Sequence, residues 1–227
     1  MSRKILYIAI VVLSFGIWSC DKEIEDIEPQ GFENKYFPLE IGDTLCYQIQ
    51  SINIDKESGV NDTLNYQIKE IIESLTEDVN KYKTYRLERY YRETVGAEWL
   101  ILNVWQIRQY QRKIHRIEDN IEYIRLLTPV SASDSWDVNL FNTEEGLDCE
   151  ISRIENNAKG ISTAFVVCRD ESSLIDKRFS EEQYSENIGL TSKILIDVEL
   201  NIDPSLPWEE KVTKGTIYYQ NIIDQDE

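Results

Sequence analysis

From Tyr36 onward the apolar positions tend to recur at every second residue. Leu45, Tyr47 and Ile49 alternate with polar neighbours, Tyr66 and Ile68 carry the same period into the next run, and Tyr85, Leu87 and Tyr91 share one face of the stretch 83–93. Ile194, Ile196, Val198 and Leu200 alternate over seven residues. Polar and glycine-containing segments separate the runs, at 55–62, at 76–80 and at Asn156-Asn157-Ala158-Lys159-Gly160. Adjacent strands joined by short loops predict a mainly β protein. The expected architecture is a single antiparallel meander forming a curved sheet or open barrel, with at most one or two helices in the folded part.

One stretch supports two patterns. Ile107, Tyr110, Ile114, Ile117, Ile121 and Ile124 follow a 3-4-3-4-3 spacing, and no Gly or Pro interrupts residues 98–128, which suits an amphipathic helix. The same residues read as two strands, roughly 104–118 and 121–127, turned at Asp119-Asn120. The isoleucine and aromatic content favours strands.

The first 34 residues follow a different pattern. Arg3 and Lys4 precede an uncharged apolar run, Ile5 to Trp18, followed by Ser19 and Cys20. Fourteen apolar residues are short for a bilayer span and fit the hydrophobic region of an export signal. Ile17-Trp18-Ser19-Cys20 resembles a bacterial lipobox, with Trp18 where a small residue is usual. The resemblance implies cleavage before Cys20 and lipidation of that residue. Residues 21–28 are strongly acidic and, with Pro29 and Gly31, make an extended tether. The expected division is a signal peptide at 1–19, a lipidated cysteine and tether at 20–34, and one β-rich domain at 35–227.

Composition sharpens this picture through charge. The 227 residues carry 24 Lys+Arg against 42 Asp+Glu, a net charge of −18. Loss of residues 1–19 removes two bases and no acid, which leaves −20. Such a balance argues against nucleic-acid binding, which needs a basic footprint. The charge is uneven, however. Residues 81–125 hold ten Lys/Arg and six acids, interleaved with Tyr85, Tyr90, Tyr91 and Tyr110. Arg108, Arg112 and Arg116 are therefore a candidate anion-binding face for an envelope glycolipid or acidic glycan. The alternative is compensation by acidic neighbours in ion pairs of little energy.

Catalytic signals are sparse. His115 is the sole histidine, flanked by Arg112, Lys113 and Arg116, and reads as a surface residue. There is no Gly-x-Ser-x-Gly elbow, phosphate-binding glycine loop or His-Glu-x-x-His motif, so no catalytic residue, metal ligand or cofactor is assigned. Cys149 and Cys168 are symmetric about the turn at Asn157–Gly160. That register would set them opposite or one step diagonal, as a disulfide or as two buried thiols. Cys46 is left for the core. Trp105 and Trp136 read as core residues, Pro38 as the entry to the first strand, Gly42 as a tight turn and Pro129 as a strand end.

The order Tyr36-Phe37-Pro38-Leu39-Glu40-Ile41-Gly42, then Arg86-Leu87-Glu88-Arg89-Tyr90, Val104-Trp105, Glu118-Asp119-Asn120, Leu127-Thr128-Pro129-Val130, Ser135-Trp136-Asp137-Val138-Asn139 and Ile188-Gly189-Leu190, resembles a family of uncharacterised Bacteroidota lipoproteins. The acidic stretch behind Cys20 looks like the export signal those bacteria use for the outer face of the outer membrane. The resemblance implies location and a mainly β fold, and brings no catalytic residues. The expected function is that of an outer-membrane lipoprotein acting as a non-catalytic binding or accessory module. Its partners would be the membrane, through the lipid, and an envelope glycolipid, glycan or protein. The alternative is a carrier holding an acyl chain or other apolar ligand in a β half-barrel.

Overall fold

The structure, a computed structural model, describes residues 34–77, 79 and 82–224. The expected signal peptide, Cys20, the expected tether up to residue 33 and part of the 76–80 turn lie outside these residues. Twelve strands follow one another: β1 (Thr44–Asp55), β2 (Val60–Glu77), β3 (Lys83–Arg92), β4 (Leu100–Tyr110), β5 (Lys113–Glu118), β6 (Ile121–Leu127), β7 (Ser135–Asp137), β8 (Asp148–Asn156), β9 (Ser162–Ser172), β10 (Asp176–Ser185), β11 (Gly189–Leu200) and β12 (Val212–Ile223). Among the described residues one short helix, α1 (Trp208–Lys211), precedes β12. The strands form one antiparallel sheet in which neighbours in sequence are neighbours in space, β1 pairs with β12, and only β6 and β7 are left as edges. The sheet curls into a nearly closed barrel.

The ambiguous stretch forms strands, and three of them rather than two. A two-residue turn at Gln111-Arg112, with Gln111 at φ 52°, divides β4 from β5, and the expected turn at Asp119-Asn120 divides β5 from β6. Each tight turn resets the inward–outward alternation. The helical spacing is therefore coincidental: 107 and 110, 114 and 117, and 121 and 124 are each three apart within one strand and lie on opposite faces, with Ile107 buried and Tyr110 exposed.

The main core lies inside the curled sheet. Ile72, Leu87, Ile107, Ile114, Ile151, Val166 and Tyr184 meet there, with Phe37 and Leu190 at one end. Trp105 and Trp136 are both buried in it. Cys149 and Cys168 are joined across β8 and β9, with Cα atoms 3.9 Å apart. Cys46 is a buried free thiol. The β8–β9 turn has Gly160 at φ 79°, and Asn157 Oδ1 accepts from the Lys159 and Ile161 N–H groups.

The alternation at 194–200 serves a second core. Ile196, Val198 and Leu200 pack with Val212, Ile217, Ile52 and Ile54 under Trp208 of α1. These residues lie on the sheet face opposite Lys193 and Leu195, because successive side chains of a strand alternate faces. The strand was legible in the sequence, while the face its apolar residues line is the outer one.

Candidate functional site

The interior of the barrel holds charge as well as apolar side chains. Strand register sets this up. Glu70 of β2 stands opposite Arg89 of β3, and the Arg89 guanidinium donates to its carboxylate at 2.7 Å. Arg116 of β5 donates to Glu118 at 2.7 Å, and Arg125 of β6 binds the same carboxylate. On the far wall Lys193 of β11 lies 2.9 Å from Glu182 of β10, which also accepts from the Tyr184 hydroxyl at 2.6 Å. Arg125 lies 3.8 Å from Glu182 and so joins the two groups. The Arg89 and Arg116 guanidiniums stand over the Trp105 ring, at 3.6 and 4.8 Å from its centre.

Burial and pairing pull these groups in opposite directions. Burial works against ionisation of Glu118, yet Arg116 and Arg125 hold its carboxyl down at about 2. Glu182 behaves alike: burial opposes its charge, and Lys193, Arg125 and Arg116 keep it far below the usual carboxylate range. Lys193 is lowered by burial, partly offset by Glu182. Tyr47 and Tyr184 are pushed well up, chiefly by burial. The Tyr47 hydroxyl donates to the Leu190 carbonyl at 3.0 Å. Each carboxylate named here is paired with at least one cation.

Two cavities flank it. The larger, about 430 Å³, has an apolar wall of Phe37, Pro38, Leu45, Ile72, Leu87 and Ile107, with Glu40 and Asp43 also lining it. The smaller, about 290 Å³, is lined by Tyr66, Trp105, Tyr218, Arg89, Glu118 and Lys193, with Leu102 and Leu195 also lining it. Glu70, Arg116 and Leu190 border both.

The arginines singled out in sequence do not share a face. Arg116 is 5% exposed and points into the lumen. Arg108 stands opposite His115 on the other side of the sheet. Arg112 lies on the turn and engages the Thr128 carbonyl at 3.1 Å and Asp134 at 3.4 Å. The unexpected turn at 111–112 separates them. The compensation of the 81–125 segment is partly the expected surface pairing, as in Arg86 with Glu73 and Glu88, and partly internal, where Arg89, Arg116 and Arg125 pair with carboxylates inside the barrel.

His115 corrects the surface reading, since it is 3% exposed. Its Nδ1 lies 3.0 Å from Glu122, and its ring centre is 5.2 Å from that of Phe141 in the segment after β7. Burial lowers its pKa, against the opposing pull of Glu122. Its basic sequence neighbours gave no hint of this, because the residues that cover it come from elsewhere in the chain.

No protein-family model matches the chain, and no curated protein does. Among solved structures, a Parabacteroides distasonis protein described as a lipoprotein is 12% identical with a TM-score of 0.40. An exported protein with a YmcC-like fold from Bacteroides fragilis is 11% identical with a TM-score of 0.33. In both cases the alignment covers 82% of this chain and 96% of the other.

Proposed function

We propose that this chain is an outer-membrane lipoprotein, held by acyl chains on Cys20 and facing the cell surface, whose β domain is a non-catalytic binding module. The observation that carries this reading is the run from Arg3 to Glu28: basic start, apolar segment, Cys20, then an acidic tether. The Cys149–Cys168 disulfide accords with an oxidising compartment. Its partner would be an envelope glycolipid, glycan or protein. Metabolic labelling with an alkyne fatty acid, followed by protease treatment of intact cells, tests it. Label lost in Cys20→Ala and digestion of the domain on whole cells are the expected results. Label retained in Cys20→Ala would overturn the anchor.

The lumen favours a second reading, a carrier for an acyl chain or other apolar ligand. Its support is the apolar wall of the 430 Å³ cavity, a size within the range of about 300–1,000 Å³ for small-molecule sites. Native mass spectrometry of the envelope-derived protein is the check. A mass equal to the lipidated chain alone would count against a carrier.

A further inference from the structure

We propose that the smaller cavity is an anion site that takes the negatively charged end of an amphiphile, whose apolar part rests on the lip formed by Leu64, Leu102 and Leu195. This deepens the carrier reading and rests on it.

The first support is a charge count inside the barrel. Arg89, Arg116, Arg125 and Lys193 face Glu70, Glu118 and Glu182, and the side chains of all seven are at most 16% exposed. Four cations against three carboxylates leave one positive charge in excess. An uncompensated charge away from water is costly, and a bound anion removes that cost.

The second support is where the excess lies. The smaller cavity has three of the cations, Arg89, Arg116 and Lys193, against Glu70 and Glu118. The larger has Arg116 against Glu40, Asp43 and Glu70. The two cavities therefore differ in sign, and only the smaller favours an anion. The guanidiniums stacked on Trp105 are held in place, so little ordering remains for the ligand to impose.

The third support comes from strand register and explains why the ligand has an apolar part. Leu64, Ser51, Tyr218 and Leu195 form one row across β2, β1, β12 and β11. The next row inward is Tyr66, Ile49, Gln220, Lys193 and Glu182. Rows on one face are separated by two residues, about 6.6 Å. Leu102 and Leu195 border this charged cavity and are 48% and 37% exposed, and Leu64, in the same row as Leu195, is 62% exposed. A charged headgroup beside Lys193 thus brings the first part of its chain onto leucine.

The test uses the chain from residue 20 onward with Cys20→Ser, so that no attached lipid competes. Decanoate, decyltrimethylammonium, 1-decanol and acetate are titrated below micelle formation, with heat and Trp105 fluorescence as readouts. Decanoate is expected to bind at least tenfold more tightly than the cation or the alcohol, with acetate weak. Lys193→Gln is expected to weaken decanoate at least fivefold. Leu195→Asp, at an exposed position that does not threaten the core, is expected to do the same. Equal affinity for the three ten-carbon compounds would overturn the anion site and leave the apolar-carrier reading standing. Acetate as tight as decanoate would overturn the amphiphile. Binding of none would overturn both this inference and the carrier reading.

Discussion

The indole N–H of Trp136 donates to the backbone carbonyl of Ile124 at 3.0 Å, which joins β7 to β6 where the sheet has no strand pairing. The Ile124 N–H in turn donates to the Val138 carbonyl at 3.0 Å. Between them, these two bonds bridge the open seam of the barrel. Trp136→Phe keeps most of the ring and loses the donor, which leaves a buried carbonyl short of a partner. We expect a loss of about 1–3 kcal/mol by urea unfolding and faster hydrogen exchange at the Ile124 amide. Trp136→Ala adds a cavity and is expected to cost about 3–5 kcal/mol. Unchanged exchange in Trp136→Phe would show that the seam is held elsewhere.

Acid is expected to act through the buried carboxylates. Glu118 sits at about 2 in the folded chain, below its ordinary value of about 4.3, and Glu182 is lowered in the same direction. A lowered folded pKa gives stability that is present above the unfolded value and lost as pH falls through the folded one. The loss should therefore run from about pH 4.5 down to about 2. Glu118→Gln leaves Arg116 and Arg125 short of a carboxylate and is expected to cost about 3–5 kcal/mol at pH 7. A smaller acid-induced loss in that variant, followed by circular dichroism, is the confirming result.

His115 titrates in a milder range. Its folded pKa is lowered, so the unfolded chain binds more protons near neutrality and stability rises with pH there. Stability is expected to fall as pH drops below about 6.5, the ordinary histidine value. His115→Phe should flatten the difference between unfolding free energies at pH 7.5 and 5.0. A slope as steep as the parent's would assign that pH dependence to other groups.

Gly215 is fixed by its neighbours. It adopts φ 128°, and a Cβ there would lie 2.1 Å from the Asp197 carbonyl oxygen and 2.7 Å from the Val198 Cα. Both contacts are backbone of the paired strand β11, so no side chain can yield. Gly215→Ala is expected to lower stability by about 2 kcal/mol or more, or to open the β11–β12 ladder locally. A melting temperature within a degree of the parent's would contradict this.

The Cys149–Cys168 crosslink encloses a short loop, the two positions being 19 apart in sequence. Closing a loop of this size stabilises by about 3 kcal/mol in the chain-entropy account. Cys149→Ser/Cys168→Ser is expected to lose about that much. Peptide mapping without reductant should recover 149 and 168 on one crosslinked fragment, with Cys46 as a thiol.

Much of the meander was legible because period-two alternation and turn residues are local signals. Gly160 and Asp119-Asn120 announced their turns through residue type alone. The turn at Gln111-Arg112 carries no such residue, and it went unread. The lumen's ions were hidden for a different reason. Charged residues such as Glu70, Arg89 and Glu182 sit at positions that a flat sheet would give to water. Closure of the barrel turns that face inward, and Arg125 meets Glu182 only because β6 and β10 curl toward each other. His115 is likewise covered by Phe141, a contact with no trace in either residue's neighbourhood.

The pairing of β1 with β12 has a kinetic consequence. Cys46 stands opposite Ile223, so the first strand cannot complete its hydrogen bonding until the last has been made and delivered. Throughout synthesis, β1 would offer one bare edge to any other chain, a template for wrong pairing. Closing a contact between such distant parts of the chain also slows folding. A chaperone holding the N-terminal strands would serve this molecule most during that wait, and truncation of β12 should harm solubility more than loss of any comparable length from a loop.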